Sequence, residues 1–248
     1  GMPPLEEFYP SLYLSTFDTW DDFAAWYLDL VKGRDTVSMA MRNDLKKTVN
    51  DTDDPLVKAG KIYGLVTGRI RYVGFELGTG GIRPRSIEET YLTRMGDCKD
   101  TALLLSALLR EAGIKAHLAL VRTRDRGRGD FTVPHVGEFN HAIVYVPAAQ
   151  GIPAPFFLDA TVSGADIREI PHNDMDIPAF VVNGRASAFT DTGSTFYDRD
   201  LQRVYNRVVV DRDGNASIKR RLAKTGPGAY EAREELLNPD RQMHSLRQ

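Results

Sequence analysis

The chain has 248 residues, 42% of them hydrophobic and 27% charged, with 32 basic against 34 acidic side chains and a net charge of −2. That is enough chain for one or two domains with self-sufficient cores, and it is too apolar and too nearly neutral for a disordered segment. The charge balance excludes a broadly basic nucleic-acid or anionic-membrane surface, and no apolar run approaches the roughly 18 residues of a membrane span. The opening Gly1-Met2-Pro3-Pro4 reads as a cloning remnant, so native flanks are expected beyond this piece.

Residues 1–17 read as an extended N-terminal segment, with Pro3, Pro4 and Pro10 opposing helix. From Asp18 to Val31 the apolar residues Trp20, Phe23, Ala24, Tyr27, Leu28 and Val31 recur at spacings of three and four, which predicts a helix with one buried stripe. A polar helix is expected over residues 36–49. Asp53-Asp54-Pro55 opens another, with carboxylates at the positive end and a proline where a missing N–H costs nothing. The glycine-rich stretch 74–85 predicts a loop, and a short helix is expected over 86–92. Asp97 then caps a helix over 98–112 whose buried face is Ala102, Leu105, Leu108, Leu109 and Ala112, ended by Gly113. Strands are expected at 115–123, 140–146, 156–161 and 178–182, and a Gly/Arg-rich stretch interrupts them at 124–138. Alternation over 203–222 about Asp213-Gly214 predicts a hairpin, residues 229–237 read as helical, and the tail is polar. Helices first and antiparallel strands after give an α+β class, with a cysteine-led helix packed on a sheet. The expected division is an extended segment at 1–17, a catalytic domain at 18–200 and a hairpin-containing extension at 201–248.

Cys98 is the only cysteine, so there is no intrachain disulfide and no zinc site built on two thiolates. A free thiol with a pKa of about 8.5 is only ~3% ionised at neutral pH, and the unpaired N–H groups of a helix start favour the thiolate. The alternative for Cys98 is a small buried hydrophobe, which its polar Gly-Asp-Cys-Lys-Asp setting disfavours. His141 is the candidate base; period-two alternation puts it on one face with Ile143 and Tyr145. Asp159 lies in an apolar strand, where a carboxylate needs a partner. A tight turn centred on Gln150 would set His141 and Asp159 directly opposite one another on neighbouring antiparallel strands. A structural His–Asp tie is the alternative reading of that pair. Read together, the three residues predict a Cys–His–Asp acyl-transfer site. The Cys98 backbone N–H is the natural oxyanion donor, and Tyr72 is a candidate second donor or else a core aromatic.

Histidines 117, 135, 172 and 244 form no metal spacing, and neither metal nor cofactor is expected. His135 could line the cleft or sit in a solvated loop. Arg122, Arg124, Arg126 and Arg128 form either a solvated loop or a rim that recruits an acidic substrate. Gly78, Gly80 and Gly81 lack the pattern of a phosphate loop.

Three motifs, Gly96-Asp97-Cys98-Lys99-Asp100, Asn140-His141-Ala142 and Leu158-Asp159-Ala160, resemble the transglutaminase-like family of papain-like proteins. The stretches Arg83 to Glu89 and Arg71 to Gly78 resemble its bacterial subgroup, and the resemblance runs from about Trp20 to Asp176. It implies a papain-like fold, with Cys98 as nucleophile, His141 as base and Asp159 as the orienting acid. It further implies a middle domain of a larger periplasmic or envelope-associated protein. No calcium loop of the animal enzymes is visible. The expected activity is cysteine-dependent attack on amide bonds of a peptide or protein substrate. Hydrolysis is favoured over transamidation because the glycine-rich loops look open to water. The other class is a non-enzymatic interaction module that keeps the fold.

Overall fold

The structure is a computed structural model, and it describes residues 12–74, 78–193, 201–226, 228–230 and 232–233. Three helices open the fold: α1 (Trp20–Val31), α2 (Met39–Thr48) and α3 (Pro55–Arg69). Each starts on a side-chain cap, from Thr19, Ser38 and Asp54 respectively, which satisfies N–H groups that a helix leaves free. Two-residue β1 (Arg71–Tyr72) pairs in parallel with β2 (Met95–Gly96), and α4 (Ile87–Thr93) lies between them in sequence. Then come α5 (Cys98–Glu111), β3 (His117–Val121), β4 (His141–Val146), β5 (Phe156–Leu158), β6 (Pro178–Val182) and β7 (Ala188–Asp191). The five strands form one antiparallel sheet in the order β5-β4-β3-β6-β7.

Every predicted helix before residue 113 is present, with ends moved by up to three residues. The strands are shorter than the sequence suggested at 115–123 and 156–161, and β7 was not anticipated, because Ala188-Phe189-Thr190-Asp191 has no clear alternation. Among its described residues the loop at 74–85 contains one 3₁₀ turn, Gly78–Gly81. Of the expected extended segment, residues 12–17 carry no helix or strand and 1–11 lie outside the described residues. Of the expected helix at 229–237, residues 228–230 and 232–233 include its described part and are helical, while the remainder lies outside the described residues.

The sheet is covered on both faces. On one, Ala142, Val144, Val146, Leu118, Leu120 and Phe180 pack against α5, whose stripe from Ala102 to Leu109 is buried throughout. On the other, Ala119, Val121, Ile143 and Phe157 meet Ile170, Met175 and Ile177 from the chain between β5 and β6. That second cover brings residues 170–177 under the face to which His141 belongs. The α1 aromatics close the end near β6 and β7, with Trp20 packed against Phe180 and Phe189. The predicted hairpin is β8 (Gln202–Val210) and β9 (Ala216–Lys224), turning at Gly214 with φ 86°. Among the described residues its two strands pair with each other alone, and Val204, Val208, Ile218 and Leu222 on one face are exposed.

The start of α5 is fixed by close packing. A Cβ at Gly96 would stand 3.0 Å from Thr90 Cγ2, 3.1 Å from Asp100 Cβ and 3.2 Å from Thr101 Cγ2. Gly96→Ala therefore overpacks the junction that sets Cys98. A loss of about 1–3 kcal/mol of stability is expected by thermal or urea unfolding, and an unchanged unfolding curve would contradict this account.

Candidate active site

Cys98 is the first residue of α5 and is half-buried. The helix start is held by a reciprocal cap: the Asp100 N–H donates to Asp97 Oδ1 at 3.2 Å, and the Asp97 N–H donates to Asp100 Oδ2 at 3.4 Å. Arg85 locks the same carboxylate from outside. Its backbone N–H reaches Asp100 Oδ1 at 2.8 Å and its Nε reaches Oδ2 at 2.9 Å. Lys99 is buried and ion-paired with Asp97. The charged residues around Cys98 thus neutralise one another, and the N–H of Cys98 keeps no partner inside its own helix.

His141 opens β4. Asn140 just before it accepts from the Thr123 N–H at 2.9 Å and donates through Nδ2 to Thr123 Oγ1 at 2.7 Å, so the entry to β4 is tied to the exit of β3. The imidazole Nε2 meets Asp159 Oδ2 at 3.2 Å, and Cys98 and His141 share one cleft wall, where Cys98 helps to raise the imidazole pKa. With Nε2 committed to the carboxylate, Nδ1 is the nitrogen left for sulfur. Asp159 is itself held: its Oδ1 accepts from the Thr161 N–H at 2.8 Å and from Thr161 Oγ1 at 2.7 Å. The Tyr63 hydroxyl donates to the Asp159 carbonyl at 3.0 Å and to that of Val162 at 2.8 Å.

The expected direct opposition of His141 and Asp159 is not what the sheet contains. Leu158 pairs with Val144 and Phe156 with Val146, so Asp159 falls just past the end of β5, level with Ile143. The turn bridges Ala149 to Ile152, two residues lead from β4 to that bridge, and three return, including Pro153 and Pro155. The extra residue and the turn position together slip the register by two. A slip of two preserves the face, and the side chains meet on a diagonal.

A cleft of 460 Å³ opens over this group, walled by Tyr27, Ile82, Cys98, Arg126, Asn140 and His141 among others. Tyr72 lies beside Gly96 in the β1–β2 pair, is 48% exposed, and is not part of the cleft wall. The tyrosine in the wall is Tyr27, buried to 2%, which the sequence offered only as part of the α1 stripe. Burial, with Cys98, Asp97 and Asp100 nearby, pushes its phenol well up and keeps it a donor. His135 pairs with Glu138 at 3.1 Å and lies outside the wall. Arg122 is not a solvated rim residue: it faces buried Glu138 at 3.8 Å.

One participant had no signal in the sequence. Asp174, in the 3₁₀ turn His172–Asp174, has Oδ2 3.7 Å from His141 Nε2 and is 2% exposed. Its neighbours His172 and Asn173 make it look like any polar loop residue. The ligand atoms of His141, Asp159 and Asp174 lie within 4.8 Å of one another, the one such cluster that could hold a cation among the described residues. In the present arrangement Nε2 is used by Asp159.

Burial pushes the His141 pKa down, but the Asp159 charge and hydrogen bond, with help from Cys98 and Asp174, outweigh it and leave it well above 6.5. Burial pushes Asp159 up, and His141 and the Thr161 donors reverse that to leave it lowered. The histidine contribution to stability is fully present below its unfolded value and is lost as pH rises through the raised one. The Asp159 contribution is present above the unfolded carboxylate value and is lost as pH falls through the lowered one.

Part of the region now described is similar to known proteins. Residues 43–151, which contain Cys98 and His141, match the core model of the transglutaminase-like superfamily. That stretch of the chain is similar to a transglutaminase-like core and lies within an α+β fold. A "putative protease" of Parabacteroides distasonis superposes with a TM-score of 0.54 at 12% identity, over 91% of this chain and 58% of that one. A "putative cysteine protease" of Cytophaga hutchinsonii gives 0.41 at 17% identity, over 82% of this chain and 56% of that one. This chain spans little more than half the length of either. No curated protein matches.

Asp159→Asn removes the charge that sustains the imidazolium. The His141 ring, followed by NMR against pH, should titrate above 6.5 in the wild type and at least about one unit lower in the variant. A midpoint that does not move would separate the two residues electrostatically.

Proposed function

We propose that the chain is a cysteine-dependent hydrolase of peptide or protein amide bonds, acting through a thioester. The observation that supports this reading is the convergence in one cleft of a helix-start thiol and a histidine fixed by a buried aspartate. Cys98 passes its proton to His141 and attacks the carbonyl carbon, whose π electrons move to oxygen. The tetrahedral species collapses with loss of the amine, which takes the proton from the imidazolium. Water then adds to the thioester, giving a proton to neutral His141, and the second collapse releases acid and the thiol. Asp159 stays ionised and keeps Nε2 oriented throughout. The Cys98 N–H is one donor for the oxyanion. Tyr27, neutral and in the cleft wall, is a better second donor than the exposed Tyr72.

Hydrolysis is preferred to amine transfer because the one carboxylate among the described residues of the cleft wall, Asp97, is ion-paired with Lys99 and offers no free acidic site for an amine. Peptide libraries containing glutamine, incubated with and without a labelled primary amine, distinguish the two. Release of acid that vanishes in Cys98→Ala and His141→Ala is expected. Cys98-dependent label incorporation outpacing acid release would reverse the choice, and no turnover together with an inert thiol would point to an interaction module. Tyr27→Phe should lower kcat by about 100-fold with little change in KM; wild-type kcat in the folded variant would remove Tyr27 from the oxyanion site.

A further inference from the structure

Behind His141 there are two buried carboxyls where an orienting pair needs one. Asp159 accepts from Thr161 twice on Oδ1 and meets His141 on Oδ2, which leaves acceptor capacity on Oδ2. Asp174 Oδ2 is buried and makes no hydrogen bond among the described residues; His141 Nε2 stands 3.7 Å away, beyond hydrogen-bond distance. The charged groups that act on it most strongly are Asp159, His141 and, from the facing turn Arg124–Arg126, Asp125; that turn also carries Arg124 and Arg126, and its own turn carries His172. A second full negative charge here would be left uncompensated, because a single imidazolium balances only one carboxylate. The acid form removes the problem, supplying its own proton to the oxygen that lacks a donor and aiming it at Asp159.

We propose that Asp174 is a positioning residue for this site: a neutral carboxylic acid that donates a hydrogen bond to Asp159, fixing the carboxylate on His141 while keeping the buried cluster at one negative charge. The proposal rests on the Cys98–His141–Asp159 reading and goes beyond it, since a triad requires no second carboxyl. Ile170, Met175 and Ile177 anchor the turn under the sheet, and none of them, nor Asp174, lines the cleft wall. The three groups titrate as one unit. Burial, reinforced by Asp159, pushes the Asp174 carboxyl up to about 8. Its ionisation above that pH adds charge 3.7 Å from Nε2 and retains the imidazolium further into the alkaline range.

The test uses carbon-detected NMR titration of the Asp174 carboxyl and the His141 ring, in chelator, which requires no turnover. In the wild type the carboxyl should titrate near 8. In Asp174→Asn, whose amide still donates, the His141 midpoint should fall by about one unit. Where turnover is measurable, Asp174→Asn should keep kcat at pH 6.5 within about threefold, and Asp174→Leu, which has the size but no donor, should lose about tenfold in kcat with KM held. A wild-type carboxyl titrating in the ordinary range overturns the proposal even if no variant folds. So does an unmoved His141 midpoint in folded Asp174→Asn. Failure of peptide hydrolysis with the titrations as expected would strike the proposed activity and leave the role of Asp174 standing.

Discussion

The site depends on how the first turn of α5 is pinned. Asp100 is buried, and its two oxygens take the Arg85 backbone N–H, the Arg85 guanidinium and the Asp97 N–H. A buried carboxylate satisfied in this way is rigid, because moving it would expose several unpaired groups at once. The β1–β2 pair, the close packing at Gly96 and the cap by Asp97 all converge on that turn. The remaining turns of α5 are an apolar stripe pressed onto the sheet, so the sulfur position is set relative to β4. Placing a reactive group on a helix start and its partner on a strand keeps both off mobile loops.

A gradient of charge compensation runs across the site. Lys99 with Asp97 and Arg85 with Asp100 are closed ion pairs. The histidine side is different: one imidazole faces two carboxyls, and the cluster is buried under the second cover of the sheet. Protons must settle the balance there, which ties the site's electrostatics to a segment, 170–177, that contributes nothing to the cleft wall. The basic run likewise divides by environment. Arg122 is folded against Glu138 as part of the scaffold, whereas Arg126 reaches the cleft.

The helices were legible because amphipathic spacing and caps are local signals. Thr19, Ser38, Asp54, Ser86 and Asp97 each sit where the first N–H groups need an acceptor. The strands were legible in position and less so in length, since pairing partners decide where a strand stops. Phe156-Phe157-Leu158-Asp159-Ala160-Thr161 reads as one strand, yet it leaves the ladder at Leu158, and Asp159 takes its donors from Thr161 in a local turn. Such a choice depends on the neighbouring chain, which no local pattern contains.

By itself the sequence determined the class of fold, the order of its elements, the lone thiol at a helix start and the shared face of His141 and Asp159, because each follows from spacing, capping or period-two alternation. The tertiary structure alone decided the two-residue slip that makes their contact diagonal, the presence of Tyr27 in the cleft wall and the approach of Asp174 to within 3.7 Å of the imidazole. Those three are long-range relations. Tyr27 lies 71 positions before Cys98, and Asp174 lies 33 after His141. What brings them together is burial of apolar surface on both faces of the sheet, a sum over the whole chain that no segment carries alone.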